Sequence, residues 1–417
     1  MRILYITGWF QHPSLRGPTR CYHFTRELSA RHRIAMLAAT NQEIPPEAIK
    51  EMRSYTTDLH IVRSNAASAN GTILGQLPVV GGACRKWLEH GDTVRRMEAV
   101  FRRMIRRDSY DVILLHGKSL LPVIADREGL PVVLDFCDAT AMRVRATMRH
   151  EAVTKLPWLT LRYLHWKRLE KKALRATPYV SFICERDREA VLGPGTSAAL
   201  VPIGVDLAYW TRQSAAPAAN SIVFVGVMDY APNTDAALFL VSKILPRVRQ
   251  ACPDVKLFLV GRNPPEKLKQ AAAADPAVTV TGFVEDVRPY LEKAAVAAAP
   301  LRFGSGILNK ALEAMAMEVP LVATPMVAAA LRVDGLTELP LRIADGVQHF
   351  AEEILHLLGQ PAERARLAAA GRRFVECHYV WPSAARRLEE LCLAAARSAP
   401  ARAVAGLEIE KPWFQSL

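Results

Sequence analysis

Short β-branched and apolar runs alternate with longer helical stretches along most of this chain, and the alternation stops once and then restarts. That pattern is the signature of parallel sheets with helical crossovers, and a restart means two of them. The first set of expected strands is Arg2–Ile6, Ile34–Ala38, Leu59–Val62, Val112–Leu115, Val132–Phe136, Tyr179–Cys184 and Ala198–Val201. Helices are expected at Cys21–Ala30, Thr93–Arg107 and Leu159–Ala176. The second set of strands is Ile222–Val225, Lys256–Val260, Val278–Thr281, Val296–Ala299 and Leu321–Ala323. Between these fall helices Asn233–Gln250, Pro265–Ala273, Val287–Lys293 and Asn309–Met317. The seam is Tyr209–Asn220, polar, small and Pro-containing as linkers are. A length of 417 residues suits two such domains. The expected fold class is therefore α/β, with two Rossmann-like doubly wound parallel sheets and a cleft at the carboxyl ends of the strands.

Composition narrows the class of protein. Half the residues are hydrophobic and 23% are charged, which excludes a disordered or fibrous chain. Fifty-four Lys and Arg against 41 Asp and Glu leave a net charge of +13, which calls for an anionic partner. The first residues read as no signal peptide, and the apolar run Val319–Leu331 is too short and too Pro-broken to span a membrane. Seven scattered cysteines without a C-x-x-C pair argue against a disulfide framework or a zinc site and for reduced thiols in the cytoplasm.

The most informative segment runs from Ala299 to Pro325. An apolar strand ends at Pro300, Arg302 follows, and Gly304, Ser305 and Gly306 lead into a helix. Glycines at a strand-to-helix turn let backbone N–H groups approach a phosphate, and a helix N-terminus adds partial positive charge. Arg302 and Lys310 could neutralise a diphosphate, and Glu313, seven residues after Gly306, could accept hydrogen bonds from a ribose. A dinucleotide fingerprint fails because Asn309 stands where a glycine is needed. A phosphate loop around Gly117-Lys118-Ser119 fails because Val112 replaces its first glycine. A Gly-rich turn followed by a buried Glu–Lys helix pair is the other reading of the segment.

The same segment resembles the nucleotide-diphosphate binding region of group-1 (family 4) glycosyltransferases with the GT-B fold. The likeness is to the exopolysaccharide/exosortase-associated sugar transferase branch, with its Gly-Ser-Gly turn, Asn-Lys and Leu-Glu-Ala-Met-Ala. Arg2–Thr7 with Gly17, Arg20 and the helix ending near His32 resembles the family's first strand, glycine loop and helix. Asp111–His116 resembles its Asp-Val strand ending in histidine, and Val201–Asp206 its Val-Pro-Asn-Gly-Val-Asp. Further matches are Phe224-Val225-Gly226 with Asp229, Pro232 and Asn233, then Leu259–Arg262, then Thr281–Asp286. The motifs keep the family's order to about Leu388.

The resemblance implies an acceptor lobe at 1–207, a nucleotide-sugar lobe at 208–381, a helix at 382–397 crossing back to the first lobe, and a tail at 398–417. It implies a retaining transferase that moves a sugar from a UDP-, GDP- or ADP-linked donor to a glycan or lipid-linked acceptor, in polysaccharide or envelope biosynthesis. No metal or other cofactor is expected. His116, Arg302 and Lys310 would be catalytic. Gly304, Ser305, Gly306, Glu313, Gly226 and Val284 would bind the donor, with Gly17 and Arg20 in the first-lobe loop. Ser305 stands where the family has the first glutamate of its spaced pair, Ile203 replaces an Asn, and Glu318 replaces a Gly. The family's Arg and Lys after the second lobe's first strand are missing around Val227–Asp235, so neutralisation would rest on Arg302 and Lys310.

The positive charge is concentrated at residues 143–175, where ten Lys and Arg oppose two Glu for a net +8, with Trp158, Tyr163 and Trp166 interleaved. Bases beside aromatics on a helix suit an anionic membrane surface, and the expected location is cytoplasmic, peripheral on the inner face of the membrane. A solvated helix with its aromatics on the core is the alternative. Nucleic acid is not expected, because no recognition motif accompanies the charge. Two other functions fit the same lobes: a nucleotide-sugar epimerase, or a non-catalytic transferase-like subunit.

Overall fold

The computed structural model describes residues 1–15, 17, 19–64, 81–149, 153–213, 220–304, 309–333 and 335–398, the side chains of 81–89 excepted. The first sheet has seven parallel strands: β1 (Arg2–Thr7), β2 (Arg33–Thr40), β3 (Asp58–Arg63), β4 (Val112–His116), β5 (Val132–Asp135), β6 (Val180–Phe182) and β7 (Ala199–Leu200). The second has six: β8 (Ser221–Val225), β9 (Lys256–Val260), β10 (Val278–Val280), β11 (Val296–Ala299), β12 (Leu321–Ala323) and β13 (Arg342–Ile343). Their orders are β3-β2-β1-β4-β5-β6-β7 and β10-β9-β8-β11-β12-β13. Each sheet reverses its winding beside its first strand, so β1/β4 and β8/β11 are the switch points where such sheets bind ligands. Thr7 lies in register with His116, which puts that histidine at the first switch point.

The central strands are buried on both faces, which is why they read as unbroken apolar runs rather than alternating ones. One core fills the second lobe, and two cores flank the first-lobe sheet. One of those two is completed from far along the chain by the helix Trp381–Ser398, through Trp381, Ala384, Ala385, Leu388, Cys392 and Ala395. Trp381 stacks on His23 at 4.3 Å, and Glu389 accepts from Arg31 at 2.6 Å. The chain re-enters the first lobe beside Gly204. A Cβ there would lie 2.4 Å from the Trp381 nitrogen, so only glycine admits the crossing.

Some local features depart from the sequence expectation. Asn233–Gln250 is not one regular helix: a π segment, Leu240–Ile244, joins Ala231–Phe239 to Leu245–Ala251. Pro246 has no N–H for the next helical bond, and the wider turn absorbs the lost donor. Beyond Leu331 the pattern shows no element before residue 382, yet β13 and the helices Gly346–Gly359 and Pro361–His378 are there. β13 is two residues long, too short to show any periodicity. The expected tail, 398–417, lies outside the described residues apart from Ser398.

Candidate active site

The second lobe's switch point is built by backbone crowding. Gly226 follows β8 and donates its N–H to the Val260 carbonyl at 2.9 Å. Gly261 follows β9 with φ +145°, and a Cβ on it would sit 1.8 Å from the Gly226 oxygen. A Cβ on Gly226 would in turn lie 2.9 Å from the Lys310 Nζ. Two glycines therefore let a lysine from the helix Asn309–Ala316 enter between the loops. Its Nζ donates to Asn233 Oδ1 at 2.5 Å and lies 4.4 Å from the centre of the Phe224 ring. Burial disfavours the ammonium and lowers the Lys310 pKa to about 7, against the pull of Glu313. Burial likewise raises Glu313 to about 7, against the pull of Lys310.

The other sequence-derived donor residues are placed unevenly. Ser305 and Gly306 lie outside the described residues, while Gly304 adopts φ +151°, reserved in practice for glycine. Val284 follows the turn after β10 and packs on the second-lobe core. Arg302 is not a free cation: its Nη2 and Nε donate to Asp235 at 2.5 and 2.9 Å, and its guanidinium lies over Phe239. Glu318, where the family has glycine, is in the left-handed region at φ 55°. It closes the helix with the bonds Glu318 N–H to Met315 O and Val319 N–H to Ala314 O, the two bonds that a left-handed residue makes after a helix.

The first lobe brings His116 to Asp135. The ring Nδ1 is 2.9 Å from Asp135 Oδ2, and because a carboxylate only accepts, Nδ1 carries the proton. Cys137 Sγ lies 3.3 Å from Nε2. Burial opposes protonation of this ring, but the neighbouring cysteine sulfurs and the Asp135 carboxylate outweigh it and hold the pKa well above its ordinary value. Asp135 is fully buried and also accepts from Arg20 and from Ser181 Oγ. Arg20 itself is buried and also donates to the carbonyls of Val201 and Pro202. It reaches no ligand surface; it positions Asp135 and, through it, His116. Gly17 lies exposed in the loop before it at φ +135°.

Among the described residues, His116, Asp135 and Cys137 bring possible metal-ligand atoms within 4.8 Å of one another. The trio does not suit a cation, because both Asp135 oxygens are taken and the Arg20 guanidinium stands against them. Sequence reasoning missed Asp135, although a carboxylate closing an apolar strand was a visible signal. It also missed Arg143, which leaves the helix Thr140–Met148 toward the second lobe. Burial opposes its charge, while Asp138 at 3.1 Å and Tyr230 across the cleft favour it.

The basic helix spans Leu156–Ala176 and buries only Leu159, Glu170 and Ala173. Trp158, Leu161 and Leu164 are exposed, Leu161 to 64%. Tyr163 and Trp166 are half-buried, and the Lys118 ammonium lies 5.6 Å from the Trp166 ring. No described helix is long and apolar enough to cross a membrane.

Two doubly wound lobes, each with charged side chains at its switch point, define the GT-B class of protein. Solved structures agree. Sucrose-phosphate synthase from Thermosynechococcus elongatus matches with a TM-score of 0.68 at 16% identity, over 94% of this chain and 99% of that one. HepE from Anabaena, in complex with UDP and glucose, matches at 0.61 and 13% identity, over 94% of this chain and 100% of that one. Residues 219–360, most of the second lobe, match the family described as Glycosyl transferases group 1. A curated relative is the GDP-mannose-dependent monoacylated alpha-(1-6)-phosphatidylinositol monomannoside mannosyltransferase of Corynebacterium glutamicum, 28% identical over 231 residues. That match covers 51% of this chain and 60% of the relative's length. The family resemblance read from the motifs holds.

Proposed function

We propose that the protein is a retaining glycosyltransferase that moves a sugar from a nucleotide-diphosphate donor to a glycan or lipid-linked acceptor. The carrying observation is Lys310, threaded between Gly226 and Asn233 with Glu313 beside it. The bond from the anomeric carbon to the diphosphate breaks, a bond to an acceptor hydroxyl forms, and the hydroxyl proton leaves with the diphosphate. Lys310 meets the charge that builds on the bridging oxygen, and Glu313 holds the ribose. His116, kept protonated by the Cys137 and Cys21 sulfurs together with Asp135, donates from Nε2 to the sugar or the departing phosphate. Arg143 adds a cation from the first lobe, in the place of those missing after β8. These side chains supply the positive charge, so transfer is proposed to proceed without a metal.

The relative named above uses GDP-mannose, and the Anabaena structure holds UDP. The deciding experiment is a thermal-shift screen against UDP-, GDP- and ADP-sugars, followed by transfer assays. One nucleotide class should raise the melting temperature. Lys310→Met should remove the shift; a shift that persists in this variant overturns the placement.

The first lobe is proposed to rest on the anionic inner face of the membrane through the helix Leu156–Ala176. Its support is the exposed row Trp158, Leu161 and Leu164 among Lys and Arg. The bases Arg102, Arg103, Arg106 and Arg107, on the helix Gly81–Arg107 of the same lobe, give less support, since Arg102 and Arg107 are paired with carboxylates. Co-sedimentation with anionic vesicles should fall on Trp158→Ser with Leu161→Ser, and no sedimentation of the unaltered chain at low salt sinks the proposal.

A further inference from the structure

A cavity of about 410 Å3 lies where the two lobes and the C-terminal helix meet, at the β7 edge of the first sheet. Its size is that of a small-molecule pocket. The first lobe contributes Arg188 and Ser197, the second lobe Arg332, the end of the long helix Pro361–His378 contributes His378, and the C-terminal helix Arg387. Among the described residues lining it there is no Asp or Glu. Three guanidiniums around one cavity repel each other, and among the described residues only Arg188 meets a carboxylate, that of Glu185.

The arginines are also under-bonded toward the cavity. Arg188 contacts Glu185 through Nη2 and reaches the Ala198 carbonyl only at 3.4 Å, and its buried Nε has no hydrogen-bond partner. Arg387 reaches the Leu200 carbonyl at 3.4 Å. A buried donor without a partner calls for an explanation, and a ligand in the cavity would supply one for Arg188. The residues placed in the donor site contribute nothing to this wall, so the cavity is separate from that site.

We propose that this cavity is a second anion site, which takes a phosphate-bearing small molecule and ties the two lobes and the C-terminal helix together. Guanidiniums converging from three elements match the several oxygens of a phosphate group, each able to accept a charge-assisted bond. A ligand that bridges elements on both sides of the hinge favours the lobe arrangement in which all its partners converge.

The test uses the full chain carrying Lys310→Met, so that binding at the donor site does not contribute. Inorganic phosphate, pyrophosphate and glucose 6-phosphate are titrated by calorimetry. The two phosphorus sources are thereby told apart: free phosphate binding as well as the ester assigns the site to the inorganic ion, tighter binding of the ester to a metabolite. Adding Arg332→Gln and Arg387→Gln should weaken binding by about tenfold or more, the loss expected for bonds to a charged group. If the double replacement does not fold, Arg332→Gln alone, on an exposed residue, carries the test. No binding of any of the three at millimolar concentration, or binding that the replacements leave unchanged, overturns the proposal. Neither result bears on the donor site, whose own test is the nucleotide-sugar shift of the unaltered chain.

Discussion

Arg20 and Asp135, 115 residues apart in sequence, form a two-bond ion pair inside the first lobe, at 2.8 and 3.1 Å. The pair ties the first helix to β5 and, through the carbonyls of Val201 and Pro202, to the segment after β7. Removing one partner of a buried pair strands the other charge, at a cost of roughly 3–5 kcal/mol. Arg20→Met should therefore lower the unfolding free energy by about that much. Urea denaturation measures it, and a loss below about 1 kcal/mol would show the pair to be dispensable.

The second prediction concerns His116. Its folded pKa lies above the ordinary 6.5, so its protonation contributes stability that is fully present below pH 6.5 and lost as pH rises through the folded value. Asp135→Asn should bring the His116 titration, followed by NMR, down toward that ordinary value, and should flatten this limb of the stability profile. It should also lower kcat more than it changes donor KM, because the ring loses its orientation and charge rather than the donor its pocket. An unmoved titration contradicts the assignment.

Donor affinity should depend on pH with a maximum near 7. Lys310 loses its charge as pH rises through about 7, which weakens the grip on a diphosphate. Glu313 gains a proton as pH falls through about 7 and then accepts ribose hydrogen bonds less well. The two titrate as a coupled pair, so the limbs belong to the pair. Lys310→Arg should retain affinity at high pH, because a guanidinium stays protonated. Isothermal titration of the donor from pH 5.5 to 9 would reveal the bell; a flat profile would remove Lys310 and Glu313 from the site.

Glu318→Gly should stabilise the protein. A non-glycine residue in the left-handed region costs about 1–2 kcal/mol, part of which glycine returns as lost chain entropy. A net gain of about 0.5–1 kcal/mol corresponds to a melting temperature higher by about 1–4 °C. Differential scanning calorimetry reads this directly. An unchanged or lower melting point would mean that the Glu318 side chain contributes more than its backbone costs.

The α/β class, the two-lobe division and the order of the central strands were legible in the chain. A strand buried on both faces, such as Val112–His116 or Val296–Ala299, must be written as a continuous apolar run. The Gly-rich segment around Gly304 and the lysine at 310 were legible for a similar reason, since local spacing alone places them on one turn and one helix. Short or peripheral elements were not. β13 is two residues long, and the π segment depends on a bond that Pro246 fails to make near the end of a long helical pattern.

The site divides along the same line. Residue type and local spacing brought Gly304, Lys310 and Glu313 forward as the proposed diphosphate and ribose site, and the family resemblance added Gly226. Only the tertiary structure decided which cations are free to do so. Arg20 and Arg302 have the right type and the right place in sequence, yet Asp135 and Asp235 claim them. Conversely, Asp135 acquires its role because β4 and β5 pair in a register that sets it beside His116. A charge is read from one residue, but its availability depends on every opposite charge within a few ångströms, and long-range folding sets those neighbours.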